Sequence, residues 1–105
     1  MAEAPPPIVN NAAKSRLEAT LGDAVAHMDY EVIDDGLLVP HTVVPAAFEG
    51  RGIGSALAKA MLAFAKEKGM LVLPTCPFFA GYLSKHPDYK DQVHPRFFKE
   101  LGYSA

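Results

Sequence analysis

Residues 48–57 read FEGRGIGSAL, with three glycines inside five positions and an apolar run directly behind them. Glycine tolerates positive φ and lets another group come close to the backbone. From Ile53 the apolar residues Leu57, Ala60, Met61, Phe64 and Ala65 recur at helical spacing, with Lys59, Lys66 and Glu67 on the other side. Gly69 after Lys68 is a stop signal, and lysines in the last turn suit the helix dipole. Residues 70–73 are continuously apolar, which reads as a strand buried on both faces. Ahead of the glycines, residues 37–44 read as a strand. Pro40 inside it implies an edge, a bulge or a ladder gap. Strand, helix and strand in this order form a crossover unit with its two strands parallel.

Outward from that unit the period changes. Leu17, Ala19 and Leu21 share one face of residues 16–21, and Leu21-Gly22-Asp23 is a turn. Over residues 24–32, Ala24, Ala26, Met28, Tyr30 and Val32 alternate with His27, Asp29 and Glu31, the pattern of a half-buried strand. Asp34-Asp35-Gly36 carries hairpin-turn chemistry. On the C-terminal side, residues 77–85 read as a short helix with Pro77 in its first turn, ended by His86-Pro87. Residues 96–101 add one more helical turn or two, packing Phe97, Phe98 and Leu101 onto the body. The expected fold class is α/β (α+β): a mixed sheet with an antiparallel N-terminal meander, a parallel strand-helix-strand crossover and short C-terminal helices. Residues 1–10 are expected to be a flexible tail and residues 11–105 a single domain.

Composition narrows the function classes. The chain has 105 residues, half of them apolar, and a formal net charge of −2. A dedicated nucleic-acid binder would be basic. No run of 18 apolar residues suggests a membrane span. The N-terminus, MAEAPPPIVNN, lacks a signal layout, so the expectation is a cytoplasmic protein, with monomer as the default. The single cysteine, Cys76, forms no internal disulfide. His27, His41, His86 and His94 are scattered, and no metal site is expected.

The glycine loop is the chemical signal. Successive amides in such a loop converge on an anion, and the following helix adds its positive end. Arg51 supplies a permanent cation. Together these suit a pyrophosphate. The G-x-G-x-G spacing is neither the dinucleotide G-x-G-x-x-G nor a nucleoside-triphosphate loop. The alternative is a strand-to-helix connector that binds nothing.

The stretch VVPAAFEGRGIGSALAKAMLAFA resembles the acetyl-CoA-binding motif of the GNAT superfamily of N-acetyltransferases, Gln/Arg-x-x-Gly-x-Gly/Ala. PHTVVP, GRGIGSAL, LPTCPF and YLSKHPDY, in that order, resemble a minimal GNAT-like subfamily of about this length. Glu49 stands where the motif has Gln or Arg. The resemblance implies a small GNAT-like fold in which the strand before the loop splays from its parallel neighbour. The pantetheine arm of acetyl-CoA (or free coenzyme A) would lie in that gap against the backbone of Val43 and Val44. The pyrophosphate would rest on Arg51, Gly52, Ile53, Gly54 and Ser55. Lys85 or Lys90 are further candidates to meet the cofactor's phosphates.

Cys76 falls between the predicted buried strand and a helix start, where a helix N-terminus stabilises an anion. It is either an inert buried residue or, as the subfamily implies, a nucleophile forming an acetyl-cysteine. His41 is the candidate base, on the strand that should line the cofactor cleft. A structural histidine is its alternative. Thr42 is expected to be structural, and Phe78 and Phe79 to cover the sheet. The resemblance also implies that Tyr82 donates a proton near the leaving sulfur. The expected activity is transfer of an acetyl group to an amine of a small molecule or a protein lysine. The alternative is a catalytically weak acetyl-CoA-binding module acting as a sensor or partner.

Overall fold

The structure is a computed structural model and describes residues 7–48 and 52–103. The N-terminal strands are β1 (Val9–Asn11), β2 (Arg16–Leu21), β3 (Ala24–Asp29) and β4 (Glu31–Ile33). They are followed by β5 (Gly36–Leu38), β6 (Thr42–Val43), α1 (Ile53–Lys68), β7 (Val72–Leu73), α2 (Pro77–Ser84) and α3 (Phe98–Leu101). Short 3-10 turns occupy Ala12–Lys14, Ala46–Phe48, Pro87–Gln92 and Pro95–Phe97. The result is a mixed α+β fold, as the periodicities predict.

β1, β2 and β3 form the antiparallel meander, with Leu17 opposite Met28 and Ala19 opposite Ala26. These four side chains are buried beneath α1, which packs on β2 and β3. Tyr30 leans on Phe64 of α1, with ring centroids 4.9 Å apart. Leu57, Met61 and Leu62 complete the core from the helix side, and Leu37, Val72 and Leu73 from the sheet. Gly69 ends α1 in a left-handed conformation, its N–H capping Ala65 and Lys66 carbonyls.

Two expectations are corrected. Val9 and Asn10, assigned from sequence to the tail, pair with Glu18 and Leu17 in the sheet. Asn10 also accepts a hydrogen bond from the buried Tyr30 hydroxyl at 2.7 Å, so a distant residue anchors this strand. Residues 1–6 lie outside the described residues. The strands expected over 24–32 and 37–44 are each broken, at Tyr30 and at Val39–His41. Ile33, Val32 and Glu31 pair with Gly36, Leu37 and Leu38, whereas Met28 and His27 pair with Thr42 and Val43. The register steps by one residue between these halves, so Val39 and Pro40 together face Tyr30. This is a β-bulge, which bends the strand. Pro40 has no N–H to give to a ladder, so the extra residue costs little there.

The bulge has two effects. It changes which residues face α1. Strict alternation from Leu37 and Val39 would bring His41 and Val43 to that face; the extra residue brings Thr42 and Val44 instead. It also ends the parallel pairing. Leu37 and Leu38 pair with Val72 and Leu73, and Val39 N–H still donates to Leu73 at 3.1 Å. Beyond Val39, among the described residues, β6 pairs with β3 alone. The two parallel strands thus fork. Beyond β7, Val72 bridges to Val93, an addition with no local sequence signal. No described helix is long and apolar enough to cross a membrane.

Candidate functional site

Gly52 caps the start of α1 with φ 68° and ψ 21°, a left-handed conformation that a side chain disfavours. Gly52 has no side chain with which to cap this end. The first rung of the helix runs from Ala56 N–H to the Gly52 carbonyl at 3.0 Å. The amides of Ile53, Gly54 and Ser55 therefore precede the ladder, as the first amides of any helix do. Ile53 is buried and pins the turn to the core.

An open cleft of ≈ 390 Å³ lies against these amides. Thr42, Val44 and Phe48 form one wall, Gly52 through Ser55 the other, and Phe78 stands at the side. A Cβ on Gly54 would sit 2.5 Å from Phe78 Cζ, so a side chain there would push this half-exposed ring aside. Phe78 is 43% exposed, whereas Phe79 is fully buried. The expectation that both phenylalanines cover the sheet thus holds for Phe79 alone: Phe78 lies on the outer side of α2's first turn.

The fork opens next to the cleft and is bridged once. Thr42 Oγ1 lies 3.1 Å from Cys76 Sγ, a hydrogen bond in which either atom can donate. Cys76 caps α2, and its N–H donates to Val39 O at 2.9 Å. The thiol belongs to a residue only 3% exposed, and Thr42, not Cys76, lines the cleft.

His41 and Val43 turn to the opposite face of the sheet. There His27 Nδ1 lies 2.7 Å from one Asp29 oxygen and His41 Nδ1 4.0 Å from the other. Arg16 binds Glu18 on the same face, and that hydrogen bond, more than the one from Asn11, holds the Glu18 carboxyl below its ordinary range.

Tyr82 lines a second depression beyond Phe78 rather than the cleft. Its hydroxyl is buried and has no hydrogen-bond partner by geometry among the described residues. Burial pushes the phenol's pKa up, and the neighbouring Tyr89 and Asp88 add to the shift.

Of the residues singled out from sequence, Val44, Gly52, Ile53, Gly54 and Ser55 meet in the cleft, with Cys76 behind Thr42. His41, the Val43 side chain and the Tyr82 hydroxyl do not join them. Glu49, Gly50 and Arg51 lie outside the described residues. Sequence reading missed Thr42, Phe48 and Phe78 as cleft residues. Pro40 held the signal for Thr42, because one bulge residue shifts the alternation of everything after it. No three His, Cys, Asp or Glu side chains stand together as a metal site among the described residues.

A family model described as GCN5-related N-acetyl-transferase matches residues 16–92, a span that holds the fork, the cleft and both main helices. The chain belongs to this family. Curated relatives agree. The chain is 39% identical over 57 residues to Protein NATD1 of Xenopus tropicalis, covering 52% of each chain. It is 35% identical over 69 residues to Protein NATD1 of Mus musculus, 63% of each chain. The Homo sapiens protein of that name matches at 35% over 69 residues, 63% of this chain and 61% of its own. The chain thus spans about half to under two thirds of these relatives. GCN5-related acetyltransferases generally use acetyl-CoA. The cleft fits that ligand: the first turn of α1, bare of side chains at Gly52 and Gly54, lines it opposite Val44 and Phe48.

Proposed function

We propose that this chain is an acetyl-CoA-dependent N-acetyltransferase acting on an amine of a small molecule or a protein lysine. The observation that carries this reading is the glycine-headed start of α1 opening into a cleft beside forked parallel strands. Bound there, acetyl-CoA supplies an activated acetyl thioester. The amides of Ile53, Gly54 and Ser55 hold the diphosphate, supported by the helix dipole. Val44 and Phe48 shelter the apolar part of the arm, and the strand edge at Val43 and Val44 offers it backbone partners.

In this reading the amine would attack the thioester carbonyl directly, the carbon–sulfur bond would break, and coenzyme A would leave as its thiol with the proton the amine gives up. Burial of Cys76 and the position of Thr42 in front of it favour direct transfer over a cysteine relay, with Cys76 fixing Thr42 at the fork. His41, expected from sequence as the base, lies on the opposite face of the sheet beside Asp29 and is not assigned the amine's proton. Tyr82 then acts in shaping α2 rather than as the proton donor.

One observation favours a weaker catalyst. Among the described residues, those lining the cleft include no titratable side chain, so a module that holds acetyl-CoA with little turnover is the second reading. Calorimetry with acetyl-CoA, followed by assay of coenzyme A release over a panel of amines and basic peptides, separates the two. Binding with release supports the transferase, and binding without release the module. Absence of binding removes both. Gly52→Val forces a branched side chain into a left-handed conformation beside the diphosphate amides. It is expected to lower acetyl-CoA affinity by roughly tenfold or more, and unaltered affinity would count against the cleft.

A further inference from the structure

The cleft beside α1 carries hydroxyls at two places. Ser55 supplies one at the helix start and Thr42 the other at the fork; the remaining lining residues among those described are apolar or glycine. Along the chain β6 leads towards α1, so Val44 is nearer the diphosphate amides and Thr42 further from them. An arm laid along β6 with its diphosphate on those amides therefore ends towards Thr42.

Thr42 is held from two directions. Its backbone pairs with Met28 of β3, whose side chain is fully buried, and its Oγ1 lies 3.1 Å from Cys76 Sγ. A hydroxyl has one proton to donate and lone pairs with which to accept, whereas a thiol is weak in either role. Thr42 Oγ1 is the one hydrogen-bond partner of the buried Cys76 thiol among the described residues. Donation from the thiol to Oγ1 gives the buried S–H its acceptor and leaves the Thr42 proton to turn into the cleft. Donation the other way leaves the S–H in the core with nothing to meet.

We propose that Thr42 is a catalytic residue whose hydroxyl donates to the thioester carbonyl oxygen, with Cys76 holding it in that orientation. This rests on the acetyl-CoA reading above and extends it. As the amine nitrogen bonds to the carbonyl carbon, negative charge gathers on that oxygen, where a fixed donor is worth most. The charge returns to the carbonyl as the carbon–sulfur bond breaks; the sulfur keeps the bonding pair and takes the proton that the amine gives up. Thr42 keeps its own proton throughout. Cys76 is a positioning residue and forms no bond to the acetyl group.

S-ethyl coenzyme A, a thioether of the same length without the carbonyl oxygen, makes the test. Calorimetry on the full chain should show acetyl-CoA binding roughly fivefold more tightly than the thioether, the scale of one neutral hydrogen bond. Thr42→Val should abolish that preference by weakening acetyl-CoA alone, and Thr42→Ser should retain it. Infrared spectra with isotope-labelled acetyl should place the bound carbonyl stretch lower in wild type than in Thr42→Val. Release of coenzyme A from bound acetyl-CoA, to an amine or to water, should slow at least roughly tenfold in Thr42→Val. An equal preference in wild type and Thr42→Val, the same carbonyl stretch in both, or equal release rates would overturn the role of Thr42 while leaving acetyl-CoA binding in place. Failure of the wild-type chain to bind either ligand would instead remove the acetyl-CoA reading, and this role with it.

Discussion

Thr42 does two jobs through one side chain. Its hydroxyl meets Cys76 at 3.1 Å across the fork, and its bulk stands between the thiol and the cleft. The two jobs separate by substitution. Thr42→Val keeps the volume and deletes the hydrogen bond, at an expected cost of about 1 kcal/mol in stability. Thr42→Ala removes the cover as well. Labelling of Cys76 by a small thiol reagent should then speed up by roughly tenfold or more in the alanine variant, with a much smaller gain in the valine variant. Equal labelling rates in wild type and Thr42→Ala would mean that Thr42 does not cover the thiol. A residue read from sequence as merely structural thus stands beside the chain's single cysteine and lines the cleft.

At the scale of elements, the bulge at Val39–Pro40 governs the site. It lets β5 stay parallel to β7 while β6 swings over to β3. Two changes at Pro40 test this. Pro40→Ala keeps the residue count, so the bulge and acetyl-CoA binding should both persist. Deleting Pro40 makes the register continuous and removes the bend. The expected product is a folded protein with a closed fork and acetyl-CoA affinity lowered by at least roughly tenfold. Intact binding after the deletion would show that the fork does not depend on the extra residue. The glycine loop divides in a similar way. Gly52 answers to backbone conformation at the start of α1, whereas Gly54 answers to a ring from α2. In sequence the two look alike, because the residue that distinguishes them is distant in the chain.

For the whole molecule, the C-terminal segment closes the structure through polar anchors. Ser84 Oγ donates to Leu101 O at 2.9 Å, and the Tyr103 hydroxyl donates to Leu83 O. Burial raises the pKa of both Tyr103 and Tyr82, with the Asp88 charge a lesser contribution to each. The unfolded chain ionises its tyrosines near the ordinary value of about 10. Between that value and the raised folded values, the unfolded state binds fewer protons than the native one. Stability should therefore be level with respect to these groups below about pH 10 and fall as pH rises above it. Urea unfolding across that range checks the slope. Tyr82→Phe should flatten it, and an unchanged slope would mean that Tyr82 is not a source of the loss.

Much of this architecture was legible before any coordinates. Helix periodicity over residues 53–68, the capping Gly69, the Pro77 start of α2 and the alternation in β2 and β3 all follow from short-range chain geometry, which neighbouring residues carry themselves. The glycine motif likewise marked the start of α1. Pairing between distant segments decided the rest. Asn10 joins the sheet because Tyr30 reaches it, and Thr42 rather than His41 faces the cleft because the register with β3 fixes the face. Phe78 divides two hollows because Gly54 leaves room for its ring. Each of these depends on which surface a side chain meets after the chain has folded, and local periodicity does not contain that information.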